Sequence, residues 1–379
     1  MGSPIITDEQ LEQENNTKVT PKKSLEELMK EDYKNSVESE NNNFINDEIV
    51  NETEKELEED IPSSFIEINL VSNGRIEGVP KKLHFRCYSA SDAIDLNVAD
   101  EDKPKAISKV LTRLNYENFD ISLLPIQDVL FILYRLHSAF ISPKITKKVY
   151  IDDTIEDEKK LNDEDNLEEI DIPISAINYA YLGKDYDDNE LERKIKIPFT
   201  IKDNATNEKV KFRYIILKDM LMAETYCRNY FKNEFIQFAD VRSALQRIQA
   251  ITDEEKQDKS FDDYLNANEE KVSEYYDFMV DYAKMVAKVV QCQTIVSYND
   301  EVLKTLDEKW DVYSNKISIS MWEKYNKTLE EFPFGINEEI DVFIPSLQKK
   351  VHRRVGFQFD DFIHVNKQEN IDRCTVEFD

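Results

Sequence analysis

The chain has 379 residues, 78 acidic against 49 basic, and a formal net charge of -29. That balance argues against a general nucleic-acid binder, which neutralises phosphates with clustered Lys and Arg. It also opposes docking on an anionic membrane surface. The length suits two modest domains or one large one with extensions. Four widely spaced cysteines, Cys87, Cys227, Cys292 and Cys374, form no CxxC pair and point to a reducing compartment without disulfides.

Residues 1–62 hold 18 acidic and 6 basic residues and two aromatics, Tyr33 and Phe44. Such a segment buries too little apolar surface to offset its ordering entropy, so a disordered acidic tail is expected. Order is expected from Phe65, where Phe65-Ile66-Glu67-Ile68-Asn69 alternates as a half-buried strand does. Asn73-Gly74 suits a tight turn, and Leu83 to Arg86 supplies the returning strand. Pro104 opens a helix through Leu114, and Pro125 opens a second through His137 whose apolar face is wide enough for burial.

Residues 152–170 carry 10 acidic and 2 basic residues and read as a solvated acidic loop. Strands are expected at 170–174, 195–201 and 210–217, with Pro173 and Pro198 placing two of them at sheet edges or bulges. From Lys218 the period becomes helical, and the stretch 275–296, free of Gly and Pro, predicts a long buried helix. Helical patterns follow at 320–331 and 337–347, and 351–359, 362–365 and 374–378 predict a terminal β-ribbon. The expected class is α+β: an N-terminal antiparallel sheet with helices (63–217), a mainly helical half (218–347) and the ribbon (348–379).

The chemistry-bearing residues are sparse in pattern. Six scattered glycines form neither a P-loop nor a dinucleotide fingerprint, and there is no GxSxG. His84 with Cys87, and His352 with His364 and Cys374, lack metal-site spacing, so no metal and no cofactor are expected. Asp128 suits the positive end of a helix dipole, and Arg135 and Arg193 suit pairing with neighbouring acids. Asp360-Asp361 reads as a turn. The 18 Tyr and 20 Phe reflect either contact surfaces or composition.

The stretch Leu124-Pro125-Ile126-Gln127-Asp128-Val129-Leu130-Phe131-Ile132-Leu133-Tyr134-Arg135-Leu136-His137-Ser138 resembles the LP-x-x-D helix of a baseplate hub family of contractile-tailed bacteriophages. Further likenesses of order and spacing run over residues 65–379, including Ile216 to Asp219 as a second helix start and Asp277 to Cys292 as a later helix. Paired cysteines that suggest zinc knuckles in that family are replaced here by Pro143 to Thr146 and Gln358 to Asp361, so zinc is not carried over. The resemblance implies a baseplate hub or hub-assembly protein without catalytic residues. Its partners would be other tail or baseplate proteins, such as tape-measure or hub subunits, in the host cytoplasm or the virion tail. Pro125, Asp128, Phe131, Arg135 and Tyr282 are then the candidate packing or interface residues. The alternatives are a transient tail-assembly chaperone and, from a different class, a metal-dependent enzyme using His352 and His364.

Overall fold

A computed structural model describes residues 61–96, 102–155, 166–183, 197–249, 251 and 254–363. The expected acidic tail to residue 60, the centre of the acidic loop, Arg193, His364, Cys374 and the last part of the expected ribbon lie outside these residues. The fold is α+β, and every strand pairing in it is antiparallel.

Strands β1 (Phe65–Asn69) and β2 (Lys82–Arg86) pair in register from Phe65 with Arg86 to Asn69 with Lys82. Asn73 and Gly74 between them both take positive φ, 56° and 66°, the conformation that Asn and Gly adopt at least cost. Helix α1 (Ala90–Leu96) follows, then α2 (Lys103–Leu114), with Pro104 in its first turn where no N–H is needed. Buried Asp92 in α1 accepts from Ser89 and pairs with Arg86 and Arg113. Burial alone would raise this carboxyl, but those hydrogen bonds outweigh it and hold it well below the usual carboxylate range.

Helix α3 (Ile126–Leu136) starts at Pro125 and runs on as a wider π-turn over His137–Ile141. Its Val129, Ile132, Leu133 and Leu136 are wholly buried. β3 (Lys144–Tyr150) and β4 (Leu167–Pro173) form the next antiparallel pair. β3 was not expected: its lysines at 144, 147 and 148 hide a strand that buries Ile145 and Val149. β5 (Tyr179–Ala180) is two residues long. β6 (Phe199–Lys202) is an edge strand, preceded by Pro198, and β7 (Lys209–Phe212) lies beside it.

Helices α4 (Leu217–Tyr230), α5 (Lys232–Gln237), α6 (Ala239–Gln249) and α7 (Glu254–Gln293) make the helical region. α7 is kinked at Asn268. The expected helix over 275–296 is therefore longer at its start and ends earlier. The β-branched run from Thr294 leaves the helix and forms β8 (Ile295–Tyr298). Nor is α7 buried all round: Val272, Phe278, Tyr282 and Val289 face inward while Tyr276 and Val280 are exposed. β8 pairs with β7 and with β9 (Glu301–Val302), closing a four-stranded sheet in the order β6-β7-β8-β9. That sheet joins strands from both sides of residue 217, so the expected division there runs through a hydrogen-bonded unit.

α8 (Leu306–Asn315) is capped by Thr305, with Glu308 returning a bond to the Thr305 backbone. α9 (Ile319–Glu331) is capped by Ser318. β10 (Gly335–Ile336) pairs with β5. The expected helix over 337–347 is instead β11 (Glu339–Ile344), because Ile340, Val342 and Ile344 alternate inward with period two. It pairs with β12 (Lys349–Arg354). The ribbon thus lies earlier than expected, and Phe362 belongs to α10 (Phe359–Ile363), whose first turn contains Asp360 and Asp361. Those two acids anchor it, Asp360 to Lys103 at 2.7 Å and Asp361 to Lys147 at 2.9 Å.

Two interior clusters result. The larger unites α2, α3, the sheets, α9 and α10; the smaller lies among α4, α6 and α7, where Phe231, Phe235, Phe278 and Tyr282 pack edge to face or tilted. α8 spans them, with Val312 in the first and Trp310 against the second.

Gly335 has a φ of 105°, and a Cβ there would lie 3.1 Å from the Gln127 Cβ at the start of α3. Gly335→Ala adds strain and crowding together. It is expected to destabilise the protein by about 1–3 kcal/mol, measured as a lower urea midpoint with an unchanged slope.

Candidate functional site

The stretch from Leu124 to Ser138 builds the centre of the molecule. Pro125 and Ile216 form an isolated antiparallel bridge. The Ile126 amide donates to the Ile215 carbonyl at 3.2 Å, and the Leu217 amide to the Leu124 carbonyl at 3.0 Å. Two helix N-termini, each with amides that have no partner in their own helix, are thereby tied to each other's lead-in strand. An aspartate sits third in each helix. Asp219 accepts from the Ile216 amide at 3.0 Å and holds Arg213 through two bonds of 2.6 and 2.7 Å. Asp128 instead turns away from its own helix and accepts from the Ser72 amide at 2.9 Å, 56 residues away in sequence. Tyr214 adds a bond to the Phe332 carbonyl and an edge-to-face contact with Phe334.

Asp128 is fully buried, and its Oδ2 has no hydrogen-bond partner among the described residues. Burial pushes its pKa up to about 6, although the bonds from Ser72 and Val71 act the other way. Its role is therefore a clamp on the β1–β2 loop as well as an acid at a helix dipole. Pro125 and Phe131 are buried beside it, with Phe131 packed on Tyr134 and Tyr179. Tyr282 lies in the second cluster, where burial pushes its hydroxyl up to about 12. Only Arg135 of the five reaches solvent, and it has no ion pair among the described residues. The structure does not bring the five together.

Among the described residues, most of the other chemical groups are engaged in internal bonds. His84 is tied to Glu117 by its Nδ1 at 2.6 Å and by its backbone amide, while Cys87 lies exposed beyond the strand end. His137 faces the carbonyls of Phe362 and Lys144, and His352 pairs with Asp341 at 3.0 Å. Burial raises the Cys227 and Cys292 thiols to about 12, away from the reactive thiolate. Lys309, which the sequence reading did not single out, is pushed down to about 8 by burial and by Arg213, and donates to Gln293. Among the described residues no group of three or more His, Cys, Asp or Glu stands in position to hold a metal ion, and no helix is long and apolar enough to cross a membrane.

What the fold does present is the tip of the β11–β12 hairpin. Its inner face is locked down: Ile340, Val342 and Ile344 are buried, and Arg353 donates to the carbonyls of Tyr150 and Ile151 and pairs with Asp153 at 3.1 Å. The Ser346 amide and hydroxyl donate to Glu168. On the outer face, cross-strand pairs Glu339 with Arg354 and Asp341 with His352 alternate in charge. The third pair is Phe343 with Lys350, and Phe343 is 52 % exposed. Leu347 and Lys349 complete this tip, and neither Lys349 nor Lys350 has an ion pair among the described residues. Phe343 is thus an exposed aromatic beside the unpaired cation Lys350 on the outer face, with Lys349 one position on across from Ile344, on a protein of charge -29.

The Asp128 clamp gives a pH test. Its folded pKa lies above the ordinary 3.8, so its cost is absent below the unfolded value and grows as pH rises through the folded one. Asp128→Asn removes the titration and keeps an acceptor for Ser72. Urea melts should show this variant gaining about 1 kcal/mol on the wild type between pH 5 and pH 7.5. Asp128→Ala should instead lose about 1–3 kcal/mol at both, because the Ser72 amide stays buried without an acceptor.

Compared with protein-family models, with curated proteins and with solved structures, the chain matches none.

Proposed function

We propose that this protein is a component of a contractile-tail baseplate hub, or of the machinery that assembles it, and that it works through protein contacts. Two observations support this reading, one in the interior and one on the surface. The Leu124 to Ser138 stretch, which resembles the hub family, forms the buried centre, with Val129, Ile132 and Leu133 inaccessible to solvent. Elsewhere on the surface, the β11–β12 hairpin offers an aromatic and cationic tip at Phe343, Leu347, Lys349 and Lys350. Such a combination, a preorganised body with a few anchor residues held outward, suits a protein that binds other proteins. The partners on this reading are hub or tape-measure proteins.

A second reading, a chaperone that leaves before the particle matures, is favoured by the acidic residues 1–62, whose charge suits shielding a basic partner. Mass spectrometry of purified particles separates the two. A stoichiometric amount supports the hub component, and absence from particles with presence in tail intermediates supports the chaperone.

For either reading, a tagged chain in infected cells should capture tail proteins. Phe343→Asp, or Lys349→Glu with Lys350→Glu, should reduce that capture roughly tenfold or more while leaving the circular dichroism and melting temperature unchanged. Normal tail assembly in the absence of the protein, together with no captured tail component, would refute both.

A further inference from the structure

Helix α7 has a second apolar face. Toward the interior it sends Val272, Phe278, Tyr282 and Val289. On its far side Tyr276, Val280, Ala283 and Ala287 are all exposed, Tyr276 at 48 % and Val280 at 51 %. These four are spaced by four, three and four residues, which on an α-helix makes one continuous seam of the coiled-coil kind. A helix on the surface of a globular protein ordinarily carries polar residues there.

We propose that this seam is where two copies of the chain associate, with their α7 helices antiparallel. The argument is self-complementarity in both size and charge. In the antiparallel register Val280 faces the partner's Ala283, and Tyr276 faces the partner's Ala287, so each large side chain meets a small one. Asp277 and Lys284 lie seven residues apart on the same flank of the seam. Antiparallel pairing sets Asp277 against the partner's Lys284, and two-fold symmetry repeats the pair. A parallel pair would instead set Tyr276 against itself, and it would place Asp277 and the partner's Lys284 on opposite flanks where they do not meet. Asp277 has no ion pair among the described residues, and Lys284 is held only by an exposed contact of 3.5 Å to Asp281, which costs little to exchange. The seam lies on a different element from the hairpin tip, and it stands independently of the proposed function.

Sedimentation velocity of the full chain across a wide concentration range tests this. The wild type should pass from monomer to dimer as concentration rises, and Val280→Asp should stay monomeric with an unchanged melting temperature. Asp277→Lys alone and Lys284→Asp alone should each weaken the dimer roughly tenfold. The double variant, which exchanges the two charges, should recover most of that loss. A wild type that remains monomeric at every concentration would overturn the proposal. So would a dimer that Val280→Asp leaves intact, or a double variant no better than the single ones.

Discussion

The structure depends on two helix N-termini that satisfy each other. A helix leaves its first amides without internal partners, and burying such an end is costly. Here α3 and α4 bury theirs together, by exchanging one backbone bond in each direction across Pro125 and Ile216. The geometry leaves the third residue of each helix free to do something else. Asp219 locks Arg213 at the end of β7, and Asp128 reaches the loop between β1 and β2. Three regions distant in sequence meet at this point, which is why the first sheet, the central sheet and the helical region behave as neighbours in one body.

That arrangement explains how the chemistry is used. The buried carboxylates at 92, 128 and 219 all hold guanidinium or amide groups. His84 and His137 hold carboxylate and carbonyl oxygens. Most aromatic rings pack against one another inside the two clusters. Aromatic richness therefore lies chiefly in the interior, while exposed apolar side chains such as Ile94, Ile236, Val302 and Ile319 are scattered singly over the surface. Phe343 and Leu347 mark the hairpin tip, and Tyr276 and Val280 mark the α7 seam. Among the described residues, only at these two places do such side chains share one hairpin tip or adjacent positions in one helix row, and the two proposals above rest on them.

Much of the fold was legible where local signals were sufficient. The β1–β2 strands follow from alternation, though Asn73-Gly74 turns within a longer connection from Leu70 to Lys81 and does not join them directly, and the starts of α2 and α3 follow from Pro104 and Pro125. The reading failed where tertiary context decided. β11 alternates as a strand should, but Asn337 to Leu347 also matches a helical spacing, and only its pairing with β12 selects between them. β3 hides behind its lysines because only its two inward residues carry the pattern. α7 looked buried all round because apolar residues on two faces overlap in a linear sequence. The role of Asp128 was illegible because its partner lies 56 residues away.

The central claim is that the α3–α4 bridge joins both interior clusters into one cooperative body. Native-state hydrogen exchange at increasing urea tests it at the amides of Ile126 and Leu217. The account predicts that both exchange only through global unfolding, at the same free energy as the amides of β7 and β8. If either bridge amide opens well below that level, or the α7 region unfolds while the sheets stay protected, the two clusters are separate units and the account is wrong.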